Sequence, residues 1–244
     1  MNTGIQDSLN LGWKLAHVVK GLSLPSLLNT YTEERLPVVA EMLDLTSKIL
    51  KRAVDEPTNE AVYKRSGNVN QLGVNYRWSP IVVDQSTGSD KGPDGRKAHS
   101  AYDVGVGGIL QAGDRAPDAP GLMEVKFNNQ KSNDSTRLFK LLSPTHHTVL
   151  IFAEAIDIHA TLAAIAKYPK DIVRPVVLLH ARTTNMIQQD TGCDVFEDRD
   201  GHVYNAYRGA EGINGIVTIR PDGFIGAIVK DVSWLERYFR GVFV

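Results

Sequence analysis

The residues best placed to do chemistry in this 244-residue chain are its first ones. Met1, Asn2, Thr3 and Gly4 run directly into an apolar-periodic segment, so unpaired backbone amides are expected at the start of a helix. Such an end attracts anions and electron-rich oxygens. The other candidates have weaker spacing. Glu34 and Arg35 are adjacent charges beside Pro37, where such groups are usually solvated or mutually paired, and a structural role is expected for them. Cys193 is the single cysteine, which excludes an intrachain disulfide and a cysteine-rich zinc site. The histidines show no metal-ligand spacing, and the adjacent side chains of His146 and His147 should diverge at a strand entrance. Asp194, Glu197, Asp198 and Asp200 lack the alternation and distal glutamate of a calcium loop and read as a solvated acidic turn. Gly105-Val106-Gly107-Gly108 has neither the spacing nor the following helix of a dinucleotide fingerprint. No catalytic residue and no metal ligand is assigned within the chain.

The elements that must position these groups follow from periodicity. Ile5, Leu9, Gly12, Trp13 and Ala16 form one helical stripe and Leu11, Leu15 and Val18 a second, with Lys20 and Gly21 as a C-terminal stop. A helix of that kind calls for burial on two sides, and standing alone it would lack a partner and expose apolar surface. A long helical pattern follows from Pro25 to Ile49, which Pro37 should kink or divide. A short helix is expected around Asn59 to Lys64, a strand broken by Pro80 between Gly73 and Asp84, and an exposed linker from Gln85 to Gly95. Thr136 to Leu142 fits a short helix. His147 to Phe152 and Val173 to His180 read as strands around a helix through Ile158, Leu162 and Ile165, a βαβ unit. Arg220-Pro221-Asp222-Gly223 is a hairpin turn between two further strands, Gly215 to Ile219 and Phe224 to Val229. A final amphipathic helix carries Val232, Leu235, Tyr238 and Phe239 inward.

Four segments carry a resemblance. Met1 to Leu15 resembles the G-M-N-T-G-I-Q-D-x-x-N-L-x-W-K-L run of the phenol hydroxylase-like FAD-dependent aromatic monooxygenases. Thr30 to Pro37 is similar to that family's T-Y-x-x-E-R-x-P element and Gly73 to Asp84 to its G-x-x-Y-x-x-S-P-I-V segment. Ala112 to Pro120 resembles the G-x-x-A-P entrance of the thioredoxin-like domain appended to those enzymes. The resemblance implies FAD as cofactor, NADPH as co-substrate, a phenolic substrate that receives one oxygen atom, and a homodimer. It also implies that the amides of Met1 and Asn2, with Thr3 nearby, approach the pyrimidine edge of the flavin.

The motif begins mid-run, and the family's preceding glycine, acidic motif and dinucleotide-binding unit have no counterpart in the sequence. The chain is therefore expected to be the C-terminal part of a larger hydroxylase, not catalytically competent alone. The fold class implied is α/β: a helical remnant of the FAD-binding domain over 1–84, a linker over 85–111, and a thioredoxin-like domain lacking CxxC over 112–244. The stretch after the first strand, Phe152 to Asp157, holds no cysteine, so redox chemistry cannot be inferred from such a fold. The competing reading is a redox-inactive thioredoxin-like module for dimerisation or docking. A gene model begun at an internal methionine would give the same sequence.

Composition bounds the partners. A net charge of -1 with scattered Lys and Arg argues against nucleic acid and anionic membranes. No leader pattern is present, and no apolar run approaches the roughly 20 residues that span a bilayer, so a soluble, cytoplasmic protein is expected.

Overall fold

The computed structural model describes residues 2–55, 73–86, 100–102, 109–126, 130–181, 192–209, 212–213 and 215–244. Two helices come first. Helix α1 (Asn2–Val19) ends where expected, with Gly21 at φ 70° and its N–H bonded to Val18. A single turn of 3-10 helix (Pro25–Leu28) leads into α2 (Asn29–Asp55). Pro37 does not divide α2 into two helices. Proline has no N–H to offer the carbonyl four residues back, and that carbonyl, of Glu33, instead accepts the Trp78 indole N–H at 2.8 Å.

Without a partner α1 exposes much of its apolar surface, as expected. Its buried residues are Asn10, Trp13, Lys14 and His17, whereas Ile5, Leu9, Leu15 and Val19 are exposed. A second exposed aliphatic row on α2, Leu36, Leu43 and Leu50, repeats every seven residues and so lies along one side of that helix.

The rest of the chain builds one mixed eight-stranded sheet. In chain order its strands are β1 (Val83–Asp84), β2 (Leu122–Lys126), β3 (Gln130–Thr136), β4 (His147–Phe152), β5 (Val173–His180), β6 (Asp194–Asp198), β9 (Ile216–Ile219) and β10 (Ile225–Val229). A separate two-stranded ribbon pairs β7 (Arg208–Gly209) with β8 (Gly212–Ile213). Across the sheet the order is β1-β10-β9-β4-β5-β6-β2-β3. Strands β4, β5 and β6 are parallel; β9 runs antiparallel to β4, and β10 to β9. Helix α3 (Ile158–Ile165) links β4 to β5, the short α4 (His202–Ala206) follows β6, and α5 (Val232–Val242) closes the chain after β10.

Period-two alternation divides the core into two layers. Val149 and Ile151 of β4, with Val177 and Leu179 of β5, join Leu235, Tyr238 and Phe239 of α5 on one face. Leu150, Phe152, Val176 and Leu178 face the other layer with Val203 and Tyr204 of α4. Trp13 and Leu27 from the helical half belong to the first layer. A third cluster joins Val38 of α2 to Val74, Tyr76 and Phe224.

Three local expectations are corrected. The segment from Gly73 to Asp84 is mostly turns, and only Val83–Asp84 is strand, paired in parallel with β10. The expected helix near Thr136 to Leu142 shrinks to a 3-10 turn, Leu138–Lys140. Asp194–Asp198 is no solvated turn but the strand β6, in which Glu197 and Asp198 are buried. Asp198 is held there by the Tyr204 N–H at 2.9 Å. The expected helix at Asn59 to Lys64 and most of the linker from Gln85 to Gly95 lie outside the described residues. Among the described residues no helix is long and apolar enough to cross a membrane.

Candidate functional site: the start of α1 and its buried anchors

The first turn of α1 contains no acidic residue, so no carboxylate within it offsets the positive end of this 18-residue helix. Asn2 is exposed there, and Thr3 is half-buried with its carbonyl accepting from Arg35 Nη2 at 3.4 Å. Met1 lies outside the described residues.

Two ion networks seat this helix. In the first, Arg35 of α2 donates to Asp7 at 2.6 Å, to Gln6 at 3.0 Å and to the Tyr76 hydroxyl at 3.0 Å, fixing the first two turns of α1. The Tyr76 phenol is pushed up to about 12 by burial, against the opposing pull of Arg35, so it stays neutral.

The second network is deeper and spans the chain. Glu34 of α2 is wholly buried and accepts Lys14 Nζ at 2.8 Å, Asn10 Nδ2 at 2.6 Å, Ser79 Oγ at 2.6 Å and Arg220 Nη1 at 2.7 Å. Arg220 reaches back to Asp222 at 2.5 Å, and Asp222 also accepts the Trp13 indole N–H at 3.1 Å. Two cations and two carboxylates thus neutralise one another away from water, with the Arg220 guanidinium 5.4 Å from the Trp13 ring centroid. Burial alone would raise Glu34, but Arg220 and Lys14 hold its carboxyl well below the usual carboxylate range. Burial pulls Lys14 down to about 8, only partly resisted by Glu34.

Glu34 and Arg35 are therefore neither solvated nor paired with each other; each serves a different network. Arg220 and Asp222 do form the expected turn, with Gly223 at φ 81° and its N–H bonded to Arg220, while their side chains carry the buried charges. Sequence reasoning missed that second role. A usable signal existed: Asn10, Lys14 and His17 are polar at helical spacing inside an otherwise apolar segment.

Beneath the network sits an aromatic pocket. His147 is wholly buried at the start of β4, 5.5 Å from the His17 ring and 5.3 Å from Trp13. Neither imidazole has a hydrogen-bond partner. Burial drives His17 down to about 4 and His147 well below its ordinary value, so both are neutral. His146 diverges as expected and is half-buried. Among the described residues no group of histidine, cysteine or acidic side chains could hold a metal ion, and Cys193 is a half-buried lone thiol beside β6.

A cleft of about 570 Å³ opens beside the helix start. Asn2, Ile5 and Leu9 of α1 form one part of its wall, and Arg115, Phe139 and Phe224 contribute from the sheet half.

Comparison with known proteins gives this geometry a context. A family model described as FAD binding domain matches residues 1–46, which cover α1 and most of α2. A flavin-dependent monooxygenase of Mycobacteroides abscessus is 35% identical over 152 residues, covering 62% of this chain and 25% of the relative. Pentachlorophenol 4-monooxygenase of Sphingobium chlorophenolicum is 28% identical, over 93% of this chain and 38% of that protein. Among solved structures, aklavinone-11 hydroxylase with FAD and aklavinone superposes with a TM-score of 0.64 at 20% identity, over 99% of this chain and 40% of that one. The flavin-dependent monooxygenase PieE, with FAD and substrate, gives 0.60 at 18% identity. The chain thus shares its fold with part of these FAD-containing structures and spans a quarter of the Mycobacteroides relative and about two fifths of pentachlorophenol 4-monooxygenase and aklavinone-11 hydroxylase.

Proposed function

We propose that this chain is the C-terminal part of an FAD- and NADPH-dependent aromatic hydroxylase of the phenol type, inactive by itself. The observation that carries the reading is the start of α1: a helix end with no acidic residue in its first turn, within the 1–46 match, bolted in place by Arg35 and by the Glu34 network. The residues present fit one edge of a flavin. The amides of Met1 and Asn2, with Thr3 beside them, would face the electron-rich pyrimidine edge, and the helix dipole would favour negative charge there. FAD, when bound, would supply the redox chemistry that uses NADPH and oxygen to hydroxylate a phenolic ring. This chain's own contribution is orientation: Arg35 and Glu34 set the angle and depth of the helix, and Tyr76 and Ser79 hold those two side chains in turn.

The finer architecture belongs to the same proposal: a helical part over 1–84, a linker over 85–111 and a thioredoxin-like domain over 112–244. Support for the last comes from the order β4-α3-β5 then β9-β10-α5 and the arrangement β10-β9-β4-β5. Without paired cysteines that domain would act as a buttress rather than a redox centre. A homodimer and a cytoplasmic setting complete the reading. The exposed aliphatic rows of α1 and α2 favour a second reading, in which the chain docks onto a separate protein.

The test is a graft. Residues 1–46 replace the matching segment of the Mycobacteroides relative, and the purified chimera is assayed for bound FAD and for phenol-dependent NADPH oxidation. Retention of FAD and turnover is expected. A chimera that folds but elutes colourless sinks the proposal and leaves docking as the better account. The 244-residue chain alone should release added FAD during gel filtration.

A further inference from the structure

Arg115 is out of keeping with the other cations near it. Arg35, Arg77 and Arg220 each hold a carboxylate, at 2.6, 2.6 and 2.7 Å. Among the described residues Arg115 has no ion-pair partner, and its Nε is buried with no hydrogen-bond partner. Its guanidinium carbon lies 5.4 Å from the ring centroid of Phe224, to which its backbone is also bridged. Leaving a charged donor in that state is costly unless a ligand completes it.

The surroundings define what that ligand would be. Arg115 lines the 570 Å³ cleft, a volume within the range of sites that enclose small organic molecules. Ile5, Leu9, Phe139 and Leu142 make its walls apolar. The one carboxylate on the lining, Asp222, is already engaged by Arg220 and Trp13 and offers no free negative charge. An apolar cleft with a half-buried guanidinium whose Nε–H is unpartnered is complementary to a flat hydrophobic body bearing a carboxylate.

We propose that this cleft binds an aromatic carboxylate, whose acid group accepts from Arg115 and whose ring packs on Ile5, Leu9 and Phe139. The cleft borders the proposed flavin edge and shares Asn2 with it, but its argument rests on Arg115 and the apolar walls and does not depend on the hydroxylase reading.

The test uses the 244-residue chain, with calorimetric titration of 2-naphthoate and of 2-naphthamide, its neutral counterpart. Naphthoate should bind saturably at one site, about tenfold or more tighter than the amide, because the charge-assisted bond to Arg115 is lost in the amide. Arg115→Met should bring the two to equal affinity, and Arg115→Lys should restore part of the difference. Should Arg115→Met fail to fold, Phe139→Glu, which places a carboxylate on an exposed wall position, should abolish naphthoate binding. Equal affinities in the unaltered protein, no saturable binding, or indifference to both substitutions would overturn the proposal. Competitive displacement of naphthoate by FAD would also overturn it, by making the cleft part of the flavin surface.

Discussion

Strand β4 and helix α1 bury opposite kinds of side chain. In β4 the run Val149 to Phe152 is apolar and wholly inside. In α1 the inside residues include Asn10, Lys14 and His17, while Ile5, Leu9 and Val19 face out. The sheet half is held by area removed from water, at about 25 cal/mol per Å², and tolerates any residue of similar shape. The helical half is held by charges that gain little net stability from pairing but cannot be buried unpaired. A helix seated by apolar contacts alone could slip along its bed; one seated by Lys14 and Trp13 on Glu34 and Asp222 has a single register. That difference suits an element whose amide end must meet a ligand at a set place.

The comparison can be broken most severely at Arg220. Arg220→Met should cost about 3–5 kcal/mol in urea denaturation, because Glu34 and Asp222 lose their shared cation while still buried. If α1 were instead held by apolar area, the loss would be near 1 kcal/mol. Leu150→Ala, in the sheet layer, should cost about 2–4 kcal/mol from lost transfer energy and a cavity, and should leave exchange protection of α1 amides relative to the sheet unchanged.

The aromatic pocket predicts a pH effect of definite sign. His17 is down to about 4 and burial also holds His147 well below its ordinary value, so below about 6.5 the unfolded chain binds protons the folded chain refuses. Stability should be level from about 6.5 to neutral pH and fall as the pH drops below about 6.5, by up to about 1.4 kcal/mol per pH unit for each imidazole. Denaturation melts across that range should show the slope, and His147→Phe should flatten it. A slope unchanged in the variant would remove His147 from the account.

Trp78→Phe leaves the Glu33 carbonyl beside Pro37 without its donor and should cost about 1 kcal/mol by thermal melting. The smallest effect belongs to the exposed row on α2. Leu43→Gln and Leu50→Gln should shift folding free energy by less than about 0.5 kcal/mol, yet reduce self-association in sedimentation.

Much of the sheet half was legible because its signals are local. The alternation of β4 and β5, the helix between them, the Pro-Asp-Gly turn and the amphipathic α5 each declare themselves within about ten residues. Strands β2, β3 and β6 were not legible: β3 is polar throughout, β6 is acidic at three of its five positions and β2 is too short to alternate clearly, so pairing rather than periodicity makes them strands. Gly113 shows the same limit. Its φ of 97° and the 2.5 Å a Cβ would leave to the Arg77 backbone explain the glycine, but that neighbour is far along the chain.

By itself the sequence determined the helix start at Met1 to Gly4, its resemblance to flavin hydroxylases, and the strand-helix order of the C-terminal half. Tertiary structure alone decided which face of α1 is inside, and that Glu34, Arg220 and Asp222 meet, because a charge separated by 186 residues from its partner leaves no local trace. It also decided that Arg115 stands without a carboxylate on a cleft wall, since a missing partner becomes visible only when every neighbour has been placed.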